Sequence, residues 1–521
     1  MALLIPTSLF GQSSVYDTPV VQLEKFNEFY RYLTNEYVDS VEHSKLIEKA
    51  VVDVLAELDP HSSYMSREEL ADMRVSISGE FSGIGIEFQV LNDTLIVVNA
   101  LPGGPAEKVG VLANDKIVII DGESVVGISR VRVPQLLRGT KGTEVNIGIL
   151  RRGVAETLHF RIVRDRIPIS TVDAAYKLDE STGYIKINRF GENTMKEFYE
   201  AIGAMGDLNA IVLDLRGNGG GVMEGAIEMS NFFLPRGSAV LSTEGLHSPY
   251  RVYNATQSGK FLNGKVVVLI DEFSASASEI VAGALQDWDR AVVIGRQSFG
   301  KGLVQRIFPL VDNSAIRLTV SKYFTPTGRA IQRPFEKGKS DEYYLSYMER
   351  VKAGTEGATA DTLQKYTTLR LGKKVYGGGG IYPDIYIQRD TTGYSDYLSQ
   401  MIRMGVINEY VTSYLDRRRT EIEARYPDFE SYDSGFHTDE AMMAELAAMG
   451  EARGVAHDPQ GAEMSRELIG MQIKALIAQK VWSITEYFRI MNAYNDNVLR
   501  KATEVIRDWD TEAAGIATDN I

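Results

Sequence analysis

The chain has 521 residues, enough for roughly three or four domains, and its 44% hydrophobic and 24% charged residues are ordinary for a soluble globular protein. The formal net charge of −14 disfavours a nucleic-acid partner, because no basic surface would offset phosphate repulsion. The absence of cysteine excludes disulfides, thiolate nucleophiles and Cys-based zinc sites, and no apolar run reaches the ~18–20 residues of a membrane-spanning segment.

The N-terminal third is predicted to contain a helical segment and then a β-rich module. Residues 1–14 are an apolar block followed by small and polar residues without a positive n-region, which fits the remnant of a signal peptide; a frayed N-terminus is the alternative. Apolar residues at helical spacing over 17–58, closed by the turn DPHSSYMS (59–66), predict an N-terminal helical segment with bounds 15–73. Short β-type runs separated by glycine, from GIGIEFQV to TLHFRIVRD, predict a β-rich domain over 74–166.

Strand and helix patterns alternate over 167–395, which predicts an α/β layered core. The strand patterns include AIVLDLRG, KVVVLIDEF, RAVVIG and LVQRIFPL, and the helix patterns include GVMEGAIEMSNFF and SEIVAGALQDW. Residues 396–521 are predicted to form a helical domain.

Three glycine- or serine-rich stretches in the α/β segment are candidates for chemistry. GRQSFGKGLVQ (295–305) nearly completes a phosphate-binding loop, but Gly302 replaces the required hydroxyl residue and a strand rather than a helix follows. DLRGNGGG (214–221) lies between a strand and a helix, where it is either a tight turn or a set of N–H groups that stabilise an oxyanion.

The third stretch, FSASASEIVAGALQDW (273–288), places Ser276 and Glu279 in the S-x-x-E spacing of a helix capping box. Ser276 either caps the helix or acts as a nucleophile in the positive field at the helix N-terminus. The α/β segment has one histidine, His247, and no G-x-S-x-G motif, so a Ser–Lys pair is better supported than a histidine triad. Lys301 is the candidate base, with a surface lysine beside a turn as the alternative; if LVQRIFPL is extended, Gln305 shares its face and could orient it.

The chain resembles the carboxy-terminal processing peptidases, or tail-specific proteases, which are serine peptidases with a Ser–Lys dyad. Besides the two stretches around Ser276 and Lys301, the resemblance rests on LDPHSSYM (58–65), DLRGNGGG, YFTPTGRAIQ (323–332) and GGGGIYPDI (377–385). These motifs occur in family order and cover about 60–390. The resemblance implies a crotonase/ClpP-like α/β core with an inserted PDZ domain and helical N- and C-terminal segments.

The resemblance also assigns roles residue by residue. Ser276 is the nucleophile, Lys301 the general base and Gln305 its support, while Glu279 matches an acidic position near the site. The backbone N–H groups of Ala277 and of Gly220 or Gly221 form the oxyanion hole; Gly219 stands where proline or serine is expected, so which glycine points inward stays open. Lys301 acts as a base only if burial by neighbours such as Ile280 lowers its pKa from ~10.4 by about two to three, on the order of 3–4 kcal/mol against the charged form. Glu279 is therefore expected to lie away from the ammonium group.

The resemblance identifies the β-rich module as a PDZ domain that grips a chain end through the N–H groups of Ile84, Gly85 and Ile86. The expected partners are proteins or peptides with a free C-terminus, without nucleic acid, integral membrane segment, cofactor or metal. The resemblance favours a periplasmic or otherwise exported enzyme and is compatible with a homodimer. A catalytically silent PDZ-bearing scaffold on the same core, and an enzyme whose cleft is blocked by its own PDZ domain or helical tail, are the alternatives.

Overall fold

The computed structural model describes residues 17–91, 93–101, 103–112, 114–130, 132–151, 153–353 and 364–510. The signal-peptide remnant expected at 1–14 lies outside this range. The expected architecture of an α/β core, a β-rich domain and helical segments at both ends is confirmed.

The N-terminal segment is helical, as predicted, with one unexpected strand. It contains α1 (Pro19–Glu36), α2 (His43–Ala56), β1 (Ser63–Met65) and α3 (Arg67–Ser78). The stretch 59–66, predicted as a turn, ends in β1, which pairs with a distant strand of the core. A capping box of Ser66 and Glu69 begins α3, and Gly79 at φ +67° ends it, so this helix crosses the boundary expected at residue 73.

The β-rich module is an antiparallel sheet in the order β3-β4-β5-β7-β8, with β6 on β5 and a separate β2–β9 pair. In β7 Val145, Ile147 and Ile149 are buried on one face, while Glu144, Asn146 and Leu150 are exposed and Gly148 is buried as well. Strand β3 is at the edge of the sheet. The elements are β2 (Glu80–Gly83), β3 (Ile86–Leu91), β4 (Thr94–Ala100), α4 (Pro105–Lys108), β5 (Lys116–Ile120), β6 (Glu123–Ser124), α5 (Val133–Leu137), β7 (Glu144–Leu150), β8 (Leu158–Val163) and β9 (Asp165–Pro168).

The described part of the core contains two large sheets and a separate antiparallel pair, β19–β20. The larger has the order β10-β11-β12-β15-β16-β21, parallel from β11 onward, and the second has the order β1-β18-β13-β14 with β17 on β18. The elements are β10 (Val172–Lys177), β11 (Thr182–Ile187), α6 (Thr194–Met205), β12 (Ala210–Asp214), α7 (Met223–Phe233), β13 (Ala239–Gly245), β14 (Ser248–Asn254), β15 (Lys265–Ile270), α8 (Ala277–Asp287), β16 (Val292–Gly295), β17 (Leu303–Pro309), β18 (Ala315–Phe324), α9 (Ser340–Ala353), β19 (Gln364–Thr367), β20 (Lys374–Gly377) and β21 (Ile385–Tyr386).

The parallel sheet is covered on both faces, which explains why β12 and β15 are apolar throughout rather than alternating. Residues of α6, α7 and α8, among them Phe198, Phe232 and Ile280, pack against one face. The other face is covered by the last helix of the chain.

The C-terminal segment is helical, as predicted, and most of it forms its own apolar core. Its helices are α10 (Asp396–Arg403), α11 (Val406–Arg425), α12 (Phe429–Gly435), α13 (Glu440–Ala452), α14 (Pro459–Met464), α15 (Arg466–Val481), α16 (Ile484–Asn495) and α17 (Asn497–Arg507). Helix α17 instead returns to the parallel sheet and buries Val498, Leu499, Ala502, Val505 and Ile506 there.

Candidate active site

Ser276 lies at a sharp turn between β15 and α8. Its φ of +55° is rare for a residue other than glycine and costs about 1–3 kcal/mol of backbone strain. Tyr323 holds the turn by donating its hydroxyl to Ser276 O at 3.2 Å. The local strand–turn–helix geometry therefore presents the serine at the N-terminus of α8 without the G-x-S-x-G motif that usually accompanies such a turn.

Glu279 joins the turn that carries Ser276 (271–276, the serine turn) to the loop that carries Lys301 (296–302, the lysine loop). Its fully buried carboxylate accepts hydrogen bonds from Ser276 N (2.8 Å), Gly300 N (2.7 Å), Lys301 N (2.9 Å) and Ser298 Oγ. Burial raises the pKa of Glu279. The expected capping interaction of Glu279 with the Ser276 N–H group is present, and the same carboxylate oxygen accepts the backbone N–H group of Lys301. The expectation that Glu279 lies away from the lysine ammonium group stays a prediction.

Lys301 has the electrostatic environment of a base. Burial, followed by the positive charge of Arg317, lowers the pKa of Lys301 from its ordinary value to about 8, against the opposing charges of Glu279 and Asp59. Lys301 lines the same cleft as Ser276 and the apolar Ile280. Since β17 follows Lys301 where a phosphate-binding loop requires a helix, the phosphate-binding alternative is excluded.

Gln305 lines the same cleft, but the predicted reason, a shared strand face with Lys301, does not hold. Lys301 precedes β17, and a bulge separates Val304 from Gln305, so strand alternation does not relate the two side chains. The Gln305 amide donates to Thr319 Oγ1 at 3.4 Å, and Thr319 donates to Asp59 Oδ1 at 3.0 Å. Gln305 thus belongs to a hydrogen-bonded chain that ends at a carboxylate whose charge acts on Lys301.

The loop DLRGNGGG, which we call the oxyanion loop (214–221), is tied directly to the serine turn. Ser278 Oγ and Ala275 N both donate to Asn218 O, at 2.9 and 3.0 Å. Gly220 N donates to Asn218 Oδ1 at 2.8 Å, so this N–H group is already paired. Gly221 and Ala277 line the cleft with Ser276, and within the described ranges neither N–H group has an acceptor.

The cleft has a volume of about 940 Å³. Strands β17 and β18 form one of its walls. Met73 and Ile77 of α3 lie on one side, and the β13–β14 hairpin lies on another. His247, at the turn of this hairpin, also lines the cleft, and in the part of the chain that the structure describes no hydrogen bond joins it to Ser276.

Two residues of LDPHSSYM belong to the site, although the sequence had assigned them no role. Asp59 accepts hydrogen bonds from His61 N and Ser62 N, at 2.9 and 3.0 Å, which fixes the turn. Burial, and then the charge of Lys301, lower the pKa of His61 to about 4, so this ring is neutral beside the lysine. The motif LDPHSSYM could have indicated these two residues from the sequence, but their electrostatic interaction with Lys301 depends on the folded chain.

The loop expected to bind a chain end precedes the edge strand β3. Gly85 has φ +76°, and a side chain there would lie 2.9 Å from Ile167 Cδ1, so glycine is required. The carbonyls of Ile84 and Gly85 accept hydrogen bonds from Ala106 N (2.8 Å) and Leu101 N (2.9 Å), whereas their N–H groups have no acceptor among the residues described. Ile86 begins β3 and pairs with Ala100, and among the described residues no strand pairs with the other side of β3.

Four family descriptions match successive parts of the chain. They are "Activating protease CtpB N-terminal domain" (7–69), "PDZ domain" (82–162), "Peptidase family S41" (181–338) and "Family of unknown function (DUF8443)" (397–483). The carboxy-terminal-processing protease of Bartonella bacilliformis is 42% identical over 318 residues, which are 60% of this chain and 73% of that protein.

The chain belongs to the carboxy-terminal processing protease family. Another relative of this protease, carboxy-terminal processing protease CtpA of Bacillus subtilis, is 34% identical over 380 residues, 71% of this chain and 80% of the relative. Among solved structures, the photosystem II D1 C-terminal processing protease is 29% identical, with a TM-score of 0.34 over 59% of this chain and 83% of that one.

This protease is a serine-type peptidase with a PDZ domain. The family membership supports the enzymatic interpretation and not the silent scaffold. None of the described helices is long and apolar enough to cross a membrane.

Proposed function

We propose that this protease cleaves peptide bonds near protein C-termini with Ser276 as nucleophile and Lys301 as general base. Lys301, with its pKa lowered to about 8, accepts the Ser276 proton as the hydroxyl attacks the peptide carbonyl. The ammonium group then protonates the leaving amine, and water releases the acyl-enzyme. The observation that carries this proposal is the single Glu279 carboxylate, which holds the backbones of both residues at one cleft.

We infer that the oxyanion hole is formed by the N–H groups of Ala277 and Gly221. Both line the cleft, and Ala277 N is the first N–H of α8, which has no partner within the helix. Gly220, the other candidate, contributes differently: its N–H is paired with Asn218, and its lack of a side chain lets the loop approach Ser276. Gln305 supports the lysine through Thr319 and Asp59.

Ser276→Ala and Lys301→Ala should each abolish cleavage of an unfolded protein substrate. Neither side chain is part of an apolar core, so thermal midpoints should stay close to that of the unchanged protein. Cleavage of casein or a quenched peptide, followed beside a thermal melt, checks both. Substantial activity in Lys301→Ala would contradict the dyad.

The PDZ domain is proposed to grip the free carboxylate of the substrate with the N–H groups of Ile84, Gly85 and Ile86, and to add the peptide as a strand to β3. Amidating a peptide's C-terminus removes the charge and should therefore slow cleavage. Initial rates on matched free and amidated peptides check this, and equal rates would count against the proposal.

The domain division, the location and the oligomeric state complete the proposal. A division into an N-terminal helical segment, a PDZ domain, a catalytic core and a C-terminal helical domain is supported by the order of the family matches. The first boundary, expected at residue 73, moves to Gly79, where α3 ends. We expect the protease to be exported, as a periplasmic enzyme or otherwise outside the cytoplasm. A homodimer is supported by α1, none of whose residues is buried.

A further inference from the structure

We propose that α17 is part of the catalytic apparatus, because its N-cap residue Asp496 holds the oxyanion loop in place through Arg216. Asp496 is thus a positioning residue that acts through another side chain. The inference rests on the proposed function of the oxyanion loop and extends it to the last helix of the chain.

The contact between the two residues is a two-point ion pair. Arg216 Nη1 donates to Asp496 Oδ1 at 2.9 Å, and Nη2 donates to Oδ2 at 2.7 Å. The side chains are only 18% and 12% exposed, so solvent screens the pair weakly. Arg216 lies inside the oxyanion loop, five positions before Gly221.

The inner side of Arg216 is fixed by a second carboxylate. Its guanidinium also donates to the fully buried Asp214, which accepts a further hydrogen bond from Tyr184 OH at 2.7 Å. Burial opposes ionisation of Asp214, but the charges of Arg216 and Lys186 outweigh it and hold its pKa well below its usual range. The charges of Arg216 and Lys186 are therefore opposed by those of Asp214 and Asp496. Losing the charge of Asp496 would leave one side of Arg216 without a charged partner.

Helix α17 is held rigidly enough to serve as an anchor. Its apolar face, including Val498, Leu499 and Val505, is buried against the parallel sheet. Lys265 Nζ donates to Ile506 O at 2.7 Å and fixes the far end of the helix. Asp496 also caps α17, since Oδ1 accepts from Leu499 N at 2.9 Å. Asparagine at this position would preserve the cap and remove the charge, so the two roles can be separated.

Asp496→Asn should lower kcat for a reporter peptide about tenfold with KM changed less than about twofold, because a displaced oxyanion loop weakens the transition state and not substrate binding. Asp496→Glu keeps the charge and should retain more of kcat than the asparagine variant. A peptide aldehyde, whose adduct with Ser276 carries the oxyanion, should bind Asp496→Asn about tenfold more weakly. If Asp496→Asn does not fold, Arg216→Lys replaces it, with the same expected fall in kcat.

Two control variants separate this role from general loosening. Lys265→Met removes one hydrogen bond at the far end of α17 and leaves Asp496 and the buried apolar face of the helix in place. Asp439→Asn changes an N-cap aspartate on α13 that forms no ion pair in the described residues, and both variants should keep kcat. An unchanged kcat in Asp496→Asn, or an equal fall in Lys265→Met, would overturn the inference while Ser276→Ala stays inactive. An active Ser276→Ala would instead overturn the proposed function itself.

Discussion

The environment of Lys301 is built from a few charges that act in opposite directions. Burial and Arg317 favour the neutral amine, while Glu279 and Asp59 favour the ammonium ion. Arg317 lines the cleft on β18, and its buried Nε has no hydrogen-bond partner among the described residues. Arg317 is therefore free to act on Lys301 through its charge without being neutralised by a paired carboxylate.

Removing the charge of Arg317 should move the pH dependence of the enzyme. In the proposed mechanism the active form carries neutral Lys301, so kcat/KM should rise with pH to a plateau, with a midpoint near the lysine pKa of about 8. Arg317→Gln removes a cation that disfavours the ammonium form of Lys301. The pKa of Lys301 therefore rises, and the rising limb of the kcat/KM profile shifts to higher pH. The expected loss at pH 7 is about three- to tenfold, since one pKa unit is a factor of ten.

A pH profile of kcat/KM from pH 6 to 10 measures this shift. Lys322→Gln, an exposed cation on the same strand, is the matched control and should leave the profile unchanged. A profile for Arg317→Gln that overlays that of the unchanged enzyme would show that Arg317 does not tune the lysine.

At the scale of elements, the site is a junction of three loops rather than one continuous motif. The serine turn leads into α8, the lysine loop leads into β17, and the oxyanion loop follows β12. Asn218 joins the oxyanion loop to the serine turn, and Glu279 joins the serine turn to the lysine loop. The junction is tight at Gly220, where a side-chain carbon would lie 2.7 Å from Ala275 O and 2.8 Å from Ser276 Cβ.

Gly220→Ala should therefore destabilise and inactivate the enzyme. The added methyl group overlaps backbone, and φ at this position is +98°, so a loss on the order of 2 kcal/mol or more in unfolding free energy is expected. Displacing the serine turn should also lower kcat at least about a hundredfold. Urea unfolding and peptide cleavage measure the two effects.

Gly219→Ala is the matched control for stability. No atom lies within 4 Å of a side-chain carbon at Gly219, and its φ is not positive. Its unfolding midpoint should match that of the unchanged protein. Equal stability of both variants would mean that the contact at Gly220 can relax.

At the scale of the whole molecule, the first and last described helices, α1 and α17, differ in how much apolar surface they expose. Helix α17 is buried on the core, whereas α1 exposes large apolar side chains, with Leu23 62% and Phe29 55% exposed. Such side chains on a surface helix are typical of an interface between protein molecules. The proposed homodimer is therefore expected to associate through the N-terminal segment and not through α17.

Replacing both Leu23 and Phe29 by glutamate should dissociate a homodimer into monomers. The added charges would be buried without partners at an interface but are solvated on a free monomer, so the folded monomer should be unaffected. Sedimentation velocity across a concentration series measures the change, with Lys25→Glu on the same helix as a charge-matched control. An unchanged protein that sediments as a monomer at all concentrations would exclude this interface.

Local pattern was sufficient for most of the fold, whereas the proposed dyad came from the resemblance to the peptidase family. Hydrophobic periodicity predicted the strands and helices on either side of Ser276 and Lys301, because burial imposes a period of two or 3.6 on each element by itself. The family motifs then assigned the dyad. The strand β1 was missed because a three-residue strand has too few residues to show a period, and its partner β18 is distant in the chain.

Tertiary structure decided what makes the site reactive. The positive φ of Ser276, the pairing of Gly220 N–H with Asn218 and the approach of Glu279 to Lys301 all depend on contacts between separate loops. The pKa of Lys301 depends on burial and on Arg317, and the anchor of the oxyanion loop comes from Asp496, 280 residues away from Arg216. Periodicity within one segment carries no information about such contacts, because their distances are fixed only when the sheets and helices pack together.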